Sequence, residues 1–467
     1  MANEIWRLDA TDVVAGIRNR EFSCRDAVNS CLERLDAVNP QLNAVVESRP
    51  DEALAAADKA DEAVANGADL GLLHGVPVTI KGCQDLADWA TVNGCAALKD
   101  NIASVSSPCV QNWLDAGVVV LGRTNTPEFS CRWETTNDLY GATSNPWDAE
   151  RTPGGSSGGA AASVAAGINP LSTGTDLGGS LRQPAQACGV ASMRPGHGRV
   201  PDWNVTNPGE AGIGFQLMNV NGHLARTVRD LRLGLAAMAP GDWHDPWWVP
   251  VPLGEAAVSP HKISLVLDPG GSTMTEQVLS GIKSAGAKLA DAGYTLEETL
   301  PPDLEEAADV WRIICLGELI LLLEPAVKDI IGPTLRIAFD HYRQLLPGFK
   351  PDMILDALAR RRRVLRNWLE FFEEYPLIVA PVGTEPPSAR DEDISSLERN
   401  REIVESFRMT VAINALGLPA VTVPVGVSEG MPQAVQIIGP PFAEMRCLAA
   451  AAALEARVEP LTPIDPR

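Results

Sequence analysis

Pro153-Gly-Gly-Ser-Ser-Gly-Gly159 and, shortly after it, Gly174-Thr-Asp-Leu-Gly-Gly-Ser-Leu-Arg182 are the two stretches that decide how this chain folds and what it does. Each sets a serine, Ser156 or Ser180, in a glycine-rich loop where backbone can press close to a reacting group. Successive amides of Leu177-Gly-Gly-Ser180 would aim at one point, as an anion-binding nest or an oxyanion hole requires. Upstream, Lys81 ends the apolar run Val76-Pro-Val-Thr-Ile-Lys81, a candidate buried strand. A serine hydroxyl attacks only when a base takes its proton, and a lysine amine is such a base only if burial or nearby positive charge keeps it neutral. Two hydroxyls and one amine therefore suffice for a nucleophile, a relay and a base, a set that cuts acyl bonds. Each part also has a plainer explanation, since strand-end lysines are usually exposed and glycine–serine runs are usually linkers. The setting favours chemistry. The first loop follows Ser144-Asn-Pro-Trp147 and runs into a small-residue helix expected over 158–166.

Outward from the loops, short apolar runs at 76–80 and 118–121 read as buried strands, with a helix over 109–116 between them. Residues 11–65 read as helical. Beyond a Trp- and Pro-rich loop at 241–254, a β-α-β stretch is expected at 262–267, 276–292 and 294–299. Residues 303–374 read as mainly helical, with strands returning at 377–381, 420–425 and 434–438 and a closing helix at 442–456. This alternation implies a single large α/β/α domain with a central mixed, largely buried sheet flanked by helices. Within residues 1–467 we distinguish N-terminal helices (1–70), the loop-bearing core (71–235), a variable helical region that shapes the substrate pocket (240–375) and a segment that completes the sheet (376–467).

The chain has 467 residues, 45% hydrophobic and 21% charged, with a net charge of -22. That acidity argues against a nucleic-acid partner, which needs clustered Lys and Arg. Nine cysteines without a C-x-x-C pair fit reduced thiols in the cytoplasm. No secretion signal is seen at the N-terminus, and the apolar stretch 313–323 is too short to span a bilayer. Six histidines show no metal spacing, so no metal is expected. Arg360–Arg363 is expected to be a solvated helix face, and Asp176 with Arg182 to orient the second loop or form a structural ion pair.

Together these stretches resemble the amidase signature family. Its core is a lysine after an apolar strand, a Gly-Gly-Ser-Ser-Gly-Gly loop and Gly-x-Asp-x-Gly-Gly-Ser, and all three occur here in order. Gly122-Arg-Thr-Asn-Thr-Pro-Glu128, Leu224-Ala-Arg-Thr-Val-Arg-Asp230 and Gly417-Leu-Pro-Ala-Val-Thr-Val-Pro424 agree as well. The resemblance implies Ser180 as nucleophile, Ser156 as bridging serine after a cis peptide at Gly155–Ser156, and Lys81 as base. It implies an oxyanion hole from the amides of Leu177, Gly178, Gly179 and Ser180, and no cofactor. Cys131, Trp133 and Cys315 lie in segments that line the substrate tunnel of relatives, with core packing as the competing role. After Lys81, Gly82-Cys-Gln-Asp85 departs from the family's usual Asp-Asn-Ile, which bears on how the lysine is braced. The implied activity is hydrolysis of a small apolar or aryl amide, with esters or carbamates (urethanes) served by the same groups. The partner is then a small molecule, with no nucleic acid and no membrane, and a homodimer is left open. The alternative is an amidotransferase component that works with a tRNA-binding partner.

Overall fold

In the computed structural model, which describes residues 2–207, 209–254 and 261–467, the strands follow in chain order. They are β1 (Val45–Ser48), β2 (Pro77–Lys81), β3 (Val119–Thr124), β4 (Thr136–Asn137), β5 (Gly141–Ala142), β6 (Leu171–Thr175) and β7 (Ala191–Arg194). Then come β8 (Asn221–Ala225), β9 (Lys262–Leu265), β10 (Thr295–Glu298), β11 (Leu377–Pro381), β12 (Ala420–Ser428) and β13 (Met431–Ile438). β4 and β5 pair with each other, and the rest form one 11-stranded sheet ordered β1-β3-β2-β6-β8-β7-β12-β13-β11-β9-β10. The sheet is mixed. β2 runs parallel to β3 and β6, and β9 to β10 and β11, whereas neighbours from β6 through β8, β7, β12 and β13 to β11 are antiparallel.

Successive strand residues face opposite sides, and both sides are covered. Val78, Ile80, Val379, Val421 and Ile437 join a core with helices Cys24–Leu42, Val228–Met238, Glu276–Asp291 and Glu444–Glu455. Ile378, Ala380, Ala420 and Ile438 pack instead beneath Asp352–Glu374 and Arg408–Leu416. Lys81 therefore points away from the side that takes Val78 and Ile80. Residues 255–260, inside the expected 240–375 region, lie outside the described residues. Among those described, no helix is long and apolar enough to cross a membrane.

Most expected elements form within a few residues of their expected ends, including β2, β3, β11 and the helix Gly158–Ala165. The stretch 11–65 is not wholly helical, because Val45–Ser48 breaks it as an edge strand paired antiparallel with β3. Four residues are too few to show a period of their own. The central strands β6, β7 and β8 are not legible in the sequence at all. Leu-Ser-Thr-Gly-Thr and Asn-Gly-His-Leu-Ala show neither an apolar run nor alternation, and the alternation in Ala-Ser-Met-Arg spans only the four residues of the strand itself. Some of their polar groups find partners inside the sheet layer, as Ser172 Oγ does with Thr79 Oγ1 at 2.8 Å, whereas Ser192 Oγ on β7 is buried without a partner among the described residues. Arg360–Arg363 is not a merely solvated face either: Arg360 and Arg363 pair with Asp309, Glu306 and Asp303, and Arg361 Nε donates to the Ala415 carbonyl.

In the 303–374 block, helix Leu304–Trp311 continues through π-helical turns at Arg312–Leu316 and Leu319–Leu323. Helices Pro333–Leu345 and Asp352–Glu374 follow. The block builds a separate apolar cluster with Trp133 and Phe407, and Leu177 packs against it. That contact sets the helical block beside the second glycine loop.

Candidate active site

β2 delivers Lys81 to the site. The strand is buried along its whole length and the lysine side chain is fully enclosed. Its Nζ lies 2.6 Å from Ser156 Oγ and 2.8 Å from Thr175 Oγ1, and its backbone N–H donates to Thr173 Oγ1 at 3.0 Å. Burial pushes the amine below its ordinary 10.5; Cys83 and Asp176 pull the other way without reversing the shift. The Gly155–Ser156 peptide is cis. Gly155 N–H donates to Gln183 Oε1 at 2.7 Å, which ties the first loop to the helix that follows the second.

Ser180 stands next to this pair, since Ser157 N–H donates to the Ser180 carbonyl at 3.3 Å. Its side chain is mostly buried, and its hydroxyl has no hydrogen-bond partner among the described residues. Gly179 holds the loop's left-handed turn with φ of +98°. Its N–H donates to Asp176 Oδ1 at 2.9 Å, so one of the four amides expected in the oxyanion hole is engaged by a carboxylate. Leu177, Gly178 and Ser180 amides have no acceptor among the described residues. Two successive carbonyls of this loop are gripped by indoles: Trp311 Nε1 donates to Leu177 O at 2.9 Å and Trp133 Nε1 to Gly178 O at 2.8 Å.

Asp176 anchors the loop in both of the senses open to it. It is fully buried and pairs with Arg182 at 3.0 Å, accepts from Asn414 Nδ2 at 2.7 Å, and lies 3.7 Å from Arg194. Burial alone would raise its carboxyl, but Arg182 and Arg194 outweigh that and hold it well below the usual range. Trp133 joins the site; its ring centroid lies 6.1 Å from Trp311 and 5.4 Å from Phe407. Cys131 and Cys315 fall in the same apolar cluster, and burial raises both thiols. A cavity of about 20 Å³, room for one water-sized molecule, is lined by Trp133, Glu134, Gln183, Gln186, Glu385 and Phe407 and by no residue of either glycine loop.

Three neighbours of Lys81 were not among the expected site residues. Thr175 touches the amine, Thr173 fixes its backbone, and Gln84 accepts from the Thr173 hydroxyl. Thr173 and Thr175 sit two apart on the strand that pairs with β2, and that spacing is the signal that points both toward Lys81. The unusual Gly82-Cys-Gln-Asp85 thus braces the lysine through Gln84, while Asp85 faces Thr91 and Thr206.

Residues 26–448 match the Amidase family. Indoleacetamide hydrolase of Bradyrhizobium diazoefficiens is 41% identical over 97% of this chain and 87% of its own length. A glutamyl-tRNA(Gln) amidotransferase component from Moorella thermoacetica is 33% identical, with 98% of each chain covered. Among solved structures, a bacterial aryl acylamidase of the amidase signature enzymes superposes with a TM-score of 0.84 at 27% identity, over 98% of this chain and 96% of the other.

Proposed function

The chain belongs to the amidase family and hydrolyses amide C–N bonds, and from that premise we propose that Ser180 is the nucleophile of an acyl-enzyme mechanism with Ser156 as relay and Lys81 as base. The observation that carries this is the 2.6 Å contact between Ser156 Oγ and a fully buried lysine amine held below its ordinary pKa. A neutral amine accepts the Ser156 proton while Ser156 takes that of Ser180, whose oxygen attacks the amide carbon. The amides of Leu177, Gly178 and Ser180 stabilise the oxyanion as it forms, while Gly179 N–H serves as a tie to Asp176. The lysine ammonium returns a proton through Ser156 to the leaving nitrogen, the C–N bond breaks, and water then releases the acid by the same path.

The substrate we propose is a small primary amide with a flat aromatic acyl group. Trp133, Trp311 and Phe407 supply aromatic faces beside the second loop, and a relative named indoleacetamide hydrolase supports that class. Esters and carbamates meet the same nucleophile and oxyanion donors. The amidotransferase alternative is less supported, at 33% identity against 41%. Nine free cysteines and the net charge of -22 support a cytoplasmic enzyme without a nucleic-acid partner.

The test is to purify the chain alone and assay aryl acetamides, aliphatic amides, anilides, esters and carbamates. Turnover of an aryl primary amide is expected, and Ser180→Ala should abolish both turnover and labelling by a serine-directed phosphonate. Retained turnover in that variant would remove Ser180 from the nucleophile's role; activity only with an added tRNA-binding partner would favour the amidotransferase.

A further inference from the structure

A trans peptide unit points its C=O and its N–H to opposite sides, so a group that grips the carbonyl also aims the amide. In the loop before Ser180 two indoles grip successive carbonyls, and they do so with different consequences. The Gly178–Gly179 unit is held at both ends, by Trp133 Nε1 on its carbonyl and by Asp176 Oδ1 on its amide. The Leu177–Gly178 unit is held at its carbonyl by Trp311 Nε1 alone, and the Gly178 N–H on its far side has no acceptor among the described residues. Trp311 also presses on this unit directly. A Cβ added to Gly178 would stand 2.7 Å from Trp311 Cζ2, so only glycine admits the ring. Trp311 ends a regular α-helix, and π-helical winding begins at the next residue, an irregularity frequent at functional sites.

We infer that Trp311 is a positioning residue that aims the Gly178 amide at the substrate carbonyl, and that Trp133 with Asp176 makes the adjoining peptide a fixed strut. The inference rests on the assignment of Ser180 as nucleophile. It gives the helical block a part in the reaction as well as in the pocket: the block carries the residue that sets one oxyanion donor.

Trp311→Phe keeps most of the ring and removes the N–H. Direct loss of one oxyanion donor costs about 10²- to 10³-fold in kcat, and loss of its aiming group should cost less, about tenfold, with KM for an aryl acetamide within about twofold of wild type. An aldehyde that forms a tetrahedral adduct on Ser180 should lose affinity by the same factor, while the product acid should bind as before. Trp133→Phe should cost less than about threefold, because Asp176 still holds that peptide by its amide.

A merely structural role would lower the melting temperature or the fraction of enzyme that reacts with a phosphonate, and leave the ratio of aldehyde to product-acid affinity untouched. Unchanged kcat in Trp311→Phe, or equal loss of both affinities, overturns the inference. Should that variant not fold, Trp311→Leu carries the same comparison. Phosphonate labelling of Ser180 separates the two assignments. Its absence in the wild type removes the nucleophile and this inference with it, whereas its presence beside an unchanged kcat removes the inference alone.

Discussion

Lys81 is costly to bury, and the proposed mechanism uses its neutral amine, the form that burial favours. The sign follows directly. A protonated lysine cannot accept the Ser156 proton, so activity is absent at low pH and appears as pH rises through the lysine's pKa. With burial depressing that value, kcat/KM should climb through one ionisation whose midpoint lies below 10.5 and then level off. A flat profile between pH 5 and 9 with chemistry rate-limiting would exclude this base. Thr175→Val removes a hydroxyl that favours the charged amine, so the midpoint should move lower still, with kcat down by about tenfold at the plateau as the amine loses one of its two side-chain anchors. The three main residues were legible because each sits in a short motif of its own. Trp311 was not, since its bond to Leu177 spans 134 positions, and nothing local marks an indole as a carbonyl's partner rather than core filling.

The element that organises the site is the turn from β6 into the helix Arg182–Cys188, and Asp176 is its fastening. One carboxylate meets Arg182, Arg194, Asn414 and the Gly179 amide. Removing one partner of a buried pair leaves the others uncompensated, at about 3–5 kcal/mol. Asp176→Asn should therefore lower stability to denaturant by that order and loosen the loop amides at the same time. If urea unfolding of the variant matches wild type, the pair does not fasten the turn. The motif that contains this aspartate was plain in the sequence, yet the strand in front of it was not. β6 is buried by its place at mid-sheet and by hydroxyl pairing across strands, so the continuous apolar run that reveals β11 is missing from it. Strands whose burial is satisfied by polar neighbours look like loops until those neighbours are known.

Across the whole molecule, the chain's segments are not separable. β12 and β13, from the C-terminal segment, lie between β7 of the loop-bearing core and β11, which in turn carries β9 and β10. Ala10 and Thr11 donate to Asp230, and Arg34 pairs with Asp465, so both termini are tied to the core. Deleting 376–467 would strand β7 on one side and β9–β10 on the other, and should leave no folded remainder detectable by a cooperative melt. Long-range polar ties also set how stability depends on pH. Glu134, next to Arg132, accepts from Asp391 N–H across the chain. Burial, reinforced by Asp393 and Asp391 against the opposing pull of Arg132, raises its carboxyl from 4.5 to about 7. Between those values the unfolded chain gives up this proton and the folded one keeps it, so stability falls as pH rises and the loss is complete above about 7. The shift corresponds to about 3 kcal/mol at most. Glu134→Gln is neutral in both states and escapes that loss. It should melt about 3 °C above wild type at pH 8 and match it near pH 4.5, by calorimetry. Glu455, also raised to about 7, remains in the variant, so part of the wild-type decline should persist. A melting difference that stays constant from pH 4.5 to 8 would show that Glu134 keeps the same charge in the folded and unfolded chain.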